Sequence, residues 1–252
     1  MATRGEVTVR TARSRVPGLK RGNGAGEKSP GLSLGESAYR IVKRAIVECE
    51  LQPGEELSQA ALIARYQLTN AQGRYALVRL TQEGWVRPLA QRGYVVAPLT
   101  MKDLEDVFDM RVMLEPQAMR LAAGKVNAAT LRYLRKIGTS EYTVGDVASI
   151  RAFLRKNRDF YMTIVECTGN QMLVNAIGQV FDFSTRLLYF SMIYSYEGQI
   201  VRRGHENLLA ALEKGDGDEA QRLRLAGIEH GRGVIRAALL SMSSIMNANL
   251  AG

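Results

Sequence analysis

Along the chain the hydrophobic period changes twice. Ala38, Ile41, Val42, Ala45, Ile46 and Cys49 recur at three- and four-residue steps, the spacing of one buried helix face. Ser33-Leu34-Gly35-Glu36 ahead of them has the form of a capping box. Pro53-Gly54 breaks the run, and a short helix follows Ser58 with Leu62 and Tyr66 inward. A turn at Gln67-Leu68 leads into a third helix that Gly84 ends. Over Trp85–Ala97 the period shortens. Trp85-Val86-Arg87-Pro88 and Gly93-Tyr94-Val95-Val96-Ala97 predict two short strands around Leu89-Ala90-Gln91-Arg92, a hairpin with a basic tip. Beyond Leu99 the helical period returns. It predicts helices at 101–123, 128–138, 144–168, 171–195, 198–214 and 217–241, punctuated by Gly124, Gly169-Asn170, Gly198 and Gly215.

The predicted fold class is therefore mainly α. An N-terminal winged helix-turn-helix is followed by an all-helical antiparallel bundle of about six helices. The third helix raises the question of function. At 100° per residue, Gly73, Ala76, Leu77 and Leu80 share one side, while Asn70, Ala71, Arg74, Tyr75 and Val78 lie round the other. A core has no use for that second side. A major groove admits a helix, and Arg and Asn near its start read base edges. Candidate DNA-binding residues are Thr69, Asn70, Ala71, Gln72, Arg74 and Tyr75 on the helix, with Arg92 and Gly93 at the wing tip.

Charge sharpens this reading. The 252-residue chain carries a net charge of +9. Residues 1–32 hold seven basic against two acidic side chains, and residues 33–99 hold eight against six. More than half of the excess thus lies in one short tail, rich in Gly and Ser, that reads as disordered and attracts phosphates without sequence preference. No apolar run approaches the roughly 18–20 residues of a membrane span, and the tail has no secretory h-region. Two cysteines, Cys49 and Cys167, form no disulfide framework and fit a reducing, cytoplasmic setting. Gly22–Ser29 nearly spells a phosphate-binding loop, but Glu27 replaces the required glycine and no strand precedes it. Gly215–Glu219 lacks the later ligands of a calcium loop. With two histidines, no acid–base dyad and no nucleophile in a recognisable setting, the chain does not read as an enzyme.

The order of residues from Glu36 to Leu99 resembles the DNA-binding domain of GntR-family transcriptional regulators. VFDMRVMLEPQAMRLAAG, NRDFYMTIVECTGN and GHENLLAALEKGDGDEA resemble segments of the ligand-binding (FCD-type) domain of the FadR subgroup. The resemblance implies a tail over 1–32, a DNA-binding domain over 33–99, and an effector-binding and dimerisation domain over 100–245. It implies a homodimer on double-stranded operator DNA, usually a repressor of a catabolic operon, answering to a small metabolite of the organic-acid class. Two departures stand out. The family's reading helix commonly carries a first arginine where Asn70 stands here, while Arg74 keeps the second. Many members also hold a divalent metal through positions matching Asn157, Tyr161, His205 and Gly227, of which only His205 is a metal ligand by type. The expectation is a metal-free pocket in which Arg111, Asn157, Tyr161 and His205 meet the effector, with Arg186 and Tyr189 as further wall residues. His205 with His230 is the residual metal candidate. The alternative is a metal-dependent sensor or enzyme-like protein built around His205. A third reading is a nucleoid-type DNA binder without an effector.

Overall fold

The computed structural model describes residues 33–90, 93–194 and 201–250; the basic tail and Arg92 lie outside the described residues. The first helix, α1 (Leu34–Val47), starts at Ser33, whose hydroxyl accepts from the Glu36 N–H at 3.2 Å. The Glu36 carboxylate pairs with Arg40 and Arg79. β1 (Glu56–Leu57), α2 (Gln59–Tyr66), α3 (Asn70–Gln82), β2 (Val86–Leu89) and β3 (Gly93–Val96) complete the first domain. The α2–α3 turn passes through Gln67 in the left-handed region, φ 53°. The strands form one antiparallel sheet in the order β1-β3-β2, with Val86 opposite Val96, Leu89 opposite Gly93 and Glu56 opposite Val95. The predicted hairpin is there. The third strand, β1, is two residues long, too short to show a period in sequence.

The buried side of each element meets in one core. Ala38, Val42 and Ile46 pack with Leu62, with Ala76, Leu77 and Leu80 of α3, and with Trp85, Val86 and Val96 of the sheet. Each fully buried Leu, Ile or Val contributes about 1.5–3 kcal/mol, and together they fix the pose of α3 on α1 and α2.

The second domain is helical. Its elements are α4 (Met101–Ala122), α5 (Ala128–Gly138), α6 (Val147–Glu166), α7 (Gln171–Tyr194), α8 (Val201–Lys214) and α9 (Gly217–Leu250). All six predicted helices are present. Their ends agree closely except at α9, which runs on to Leu250. Met119, Leu134, Phe160, Ile164, Phe181, Leu208 and Leu212 fill the centre. Leu104 and Phe108 of α4 meet Ile228 and Ile235 of α9 in a second layer.

The two domains touch through α6 and α7. Trp85 stacks on Phe183, ring centroids 4.0 Å apart and nearly parallel. Arg186 donates to the Ala97 carbonyl at 2.5 Å. Arg155 pairs with Glu48 at 3.0 Å, and Lys43 with Asp182 at 3.1 Å.

Candidate functional site

The outward face of α3 is built by its own capping. The Thr69 hydroxyl accepts from the Gln72 N–H, and the Gln72 side-chain oxygen accepts from the Thr69 N–H at 2.7 Å. Gln72 also donates to the Leu34 carbonyl at 3.4 Å. Gln72 was expected to face a base; its amide is committed to the helix start, and the two free edges a bidentate base contact needs are in use. Asn70, Ala71, Arg74, Tyr75 and Val78 are exposed. Ala71, Arg74, Tyr75, Val78, Arg79 and Gln82 line an open depression along this face. Arg79, absent from the sequence-based set, is anchored by Glu36 and Glu83. Its guanidinium lies 3.9 Å over the Tyr39 ring, so it braces α3 against α1.

Gly93 also has a different reason from the expected one. Its φ is +104°, and a Cβ there would lie 2.4 Å from the Leu57 carbonyl oxygen. The glycine permits β3 to close on β1, a packing role inside the sheet.

Inside the bundle, charged and polar groups from five helices converge. Glu115 of α4 is 1% exposed and accepts from Arg111 at 2.7 Å and from Arg224 of α9. Burial alone would raise the Glu115 carboxyl; the two guanidinium groups outweigh it and hold it below the usual carboxylate range. Arg111 was expected to point free into a cavity; it is paired with the protein's own carboxylate. Arg224 lies 3.4 Å over the Tyr161 ring of α6, and Tyr161 stacks on Phe181 of α7. His205 of α8 stacks on Phe160 at 4.1 Å, with Nδ1 at 3.1 Å from the Gly138 carbonyl. That contact makes Nδ1 the protonated nitrogen and leaves Nε2 an acceptor. Burial pushes His205 down to about 4 from its ordinary 6.5, and nearby Arg224 pushes the same way, so the ring is neutral at pH 7. His205 Nε2 and Asn157 Oδ1 are buried without a hydrogen-bond partner.

This donor set does not fit a divalent transition metal. One imidazole stands beside the cluster, Glu115 is held by two arginines, and a phenol ring stands at Tyr161. Gly227 and His230 are exposed on α9. Arg224 is an α9 residue whose charge reaches His205, which is buried, whereas His230 lies exposed on the same helix. Among the described residues no group of three or more His, Cys, Asp or Glu is placed to hold a metal ion.

Residues 34–96 match the model of bacterial regulatory proteins of the gntR family, and residues 106–230 match the FCD domain. The chain belongs to the GntR family. It is similar to the HTH-type transcriptional regulator YdhC of Bacillus subtilis strain 168, 23% identical over 76% of this chain and 86% of that one. It is similar at 23% identity to the HTH-type transcriptional repressor RspR of Escherichia coli K12, over 77% and 85% of the two chains. In fold it resembles E. coli McbR/YncC, with a TM-score of 0.67 at 21% identity over 82% of this chain and 98% of that one. A GntR transcriptional regulator from Rhodococcus sp. RHA1 gives a TM-score of 0.68 at 16% identity, over 82% and 99%. The chain is thus a DNA-binding transcriptional regulator, not an enzyme. No helix among the described residues is long and apolar enough to cross a membrane.

Within this GntR-family architecture, Arg186 and Tyr189 take other places than the expected cavity wall. Arg186 is 1% exposed and is spent on Ala97 at the link between the domains, with Cys49 Sγ 3.9 Å from its carbonyl. Tyr189 packs in a cluster with Cys49, Ile150, Phe153 and Leu154. Both lie on the α7 face turned to the winged domain. Sequence reasoning missed Glu115 and Arg224. Glu115 had a signal, its four-residue spacing from Arg111 along one apolar helix face; Arg224 had none, since α9 carries several arginines.

Proposed function

We propose that this chain is a homodimeric repressor of a catabolic operon, reads its operator with Asn70, Arg74 and Tyr75 at the start of α3, and is released by a small hydroxycarboxylate bound in the bundle. The observation that carries the effector class is two buried acceptors without a partner, His205 Nε2 beside the cluster of two guanidinium groups and one carboxylate, and Asn157 Oδ1 one helical turn before Tyr161 on α6. The acceptors call for a hydroxyl donor, and the excess guanidinium charge calls for a carboxylate. The site works without a metal. Ligand binding there shifts the relative placement of the two DNA-binding heads, and operator affinity falls by the coupling free energy.

Two measurements test this. Operator duplexes selected from a random pool are titrated with the parent and with Arg74→Ala. Loss of one guanidinium contact costs about 1–3 kcal/mol; unaltered affinity removes α3 as the reading helix. Thermal-shift screening then compares carboxylates with and without an α- or β-hydroxyl. A ligand at about 100 times its Kd stabilises by about 2.7 kcal/mol. A preference for the deoxy acid, or a shift that survives Asn157→Ala together with His205→Ala, refutes the bundle site.

A further inference from the structure

A second cavity lies outside the bundle cluster, between the domains. It has a volume of about 250 Å³ and is walled by α1 on one side and by α6 and α7 on the other. Arg40, Lys43 and Arg44 reach it from α1, and Arg151, Arg155 and Arg158 from α6. Only two carboxylates, Glu48 and Asp182, face these six cations. Val47, Leu154 and Tyr189 make part of the wall apolar or aromatic.

Domain docking accounts for part of this charge. Glu48 takes Arg155 at 3.0 Å, Asp182 takes Lys43 at 3.1 Å and Arg158 at 3.0 Å, and Arg40 turns to Glu36. Arg44 and Arg151 meet no carboxylate among the described residues. Arg44 is exposed. Arg151 is held in place by its Nε donating to the Glu48 carbonyl at 3.0 Å, with its guanidinium 5.4 Å over the Tyr189 ring. That leaves outer N–H groups of a fixed, planar fork aimed at a concave space, the geometry that recognises carboxylates. Repulsion among clustered guanidinium groups is a standing cost that a bound anion relieves.

We propose that this cleft is a second ligand site, taking a small organic di- or tricarboxylate whose hydrocarbon or ring body rests on Val47, Leu154 and Tyr189. The site is distinct from the bundle cluster, because α6 turns Arg151, Leu154 and Arg155 to the cleft while Tyr161 lies in the bundle core. Its position gives it a task. α1 belongs to the winged domain and packs on α3, whereas α6 and α7 belong to the bundle. An anion held from both sides binds the docked arrangement better than any other, and so shifts the population toward it. The cleft thereby couples a polyanion to the orientation of the reading helix.

The test is isothermal titration of the full chain with citrate and with benzene-1,3-dicarboxylate, against sulfate at matched ionic strength. One of the two carboxylates binds once per chain with at least tenfold higher affinity than sulfate. Arg44→Ala and Arg151→Ala each weaken it at least tenfold, while Arg132→Ala, which removes an equal charge from the exposed side of α5, leaves it as in the parent. Failure of both carboxylates to exceed sulfate overturns the proposal. So does binding abolished by Asn157→Ala but untouched by Arg44→Ala, which would place the ligand in the bundle. Loss of operator affinity in Arg44→Ala without any anion would make the arginines DNA contacts and overturns it equally.

Discussion

Gly73 is in the first third of α3, the helix proposed to read the operator, and inside a helix glycine costs about 1 kcal/mol relative to alanine. Helix propensity alone therefore predicts that Gly73→Ala stabilises the protein by that amount. The structure predicts the opposite sign. A Cβ at Gly73 would lie 2.7 Å from Ile63 Cγ1 and 3.1 Å from its Cδ1. Ile63 is on α2, and a β-branched side chain in a helix has essentially one χ1 rotamer, so it gives way poorly. Overpacking of this kind costs about 1–3 kcal/mol. The balance is a net loss of about 1 kcal/mol. Cutting Ile63 to alanine removes both clashing atoms, and in that background Gly73→Ala regains about 1 kcal/mol, a coupling of about 2 kcal/mol between the sites. The assay is urea unfolding followed by the fluorescence of Trp85, the sole tryptophan, which is 1% exposed in the same core. A Gly73→Ala variant more stable than its parent, or one that shifts equally in both backgrounds, refutes the argument. The consequence reaches function, since the α2–α3 approach sets how far α3 stands out from the domain.

Two further outcomes follow from the bundle. Glu115→Gln leaves Arg111 and Arg224 buried without a counter-charge, and a drop in stability of about 3–5 kcal/mol is expected in thermal melts; replacing all three by leucine recovers most of it, and an unchanged Tm in the single variant contradicts the triad. His205 titrates at about 4 in the folded chain against 6.5 ordinarily, so the unfolded state takes up a proton that the native state refuses. Stability is fully present above about pH 6.5 and falls as pH drops toward 4, by at most roughly 1.4 kcal/mol per unit. Urea unfolding at pH 7, 6 and 5 shows a slope that His205→Gln lacks; equal slopes in both proteins sink the assignment.

How much of this was legible in the sequence differs by element. The helices of the bundle and the inner face of α3 were readable because burial of one face imposes a period, and Gly73, Ala76, Leu77 and Leu80 are buried as that period requires. The strand β1 was not, because two residues carry no period and its pairing with β3 is a long-range contact. Gln72 and Gly93 have residue types that suit DNA contact, but a capping bond and a neighbouring carbonyl claim them. Arg186 and Tyr189 are on the right helix and the wrong face, since α7 is apolar nearly all round and its period does not say which neighbour each side meets.

By itself the amino-acid order determined the architecture and the outward presentation of Arg74, because local periodicity and capping chemistry act within a few residues. Only the tertiary structure decided which charges are already spent. Whether Arg111 greets a ligand or a neighbouring carboxylate depends on Glu115 and on Arg224 at the far end of the chain. Whether Gly73 is a weakness or a fit depends on Ile63 across the turn. Hydrophobic patterning specifies which side of a helix is buried; pairing and close approach are properties of two elements at once, and exist only when the chain has brought them together.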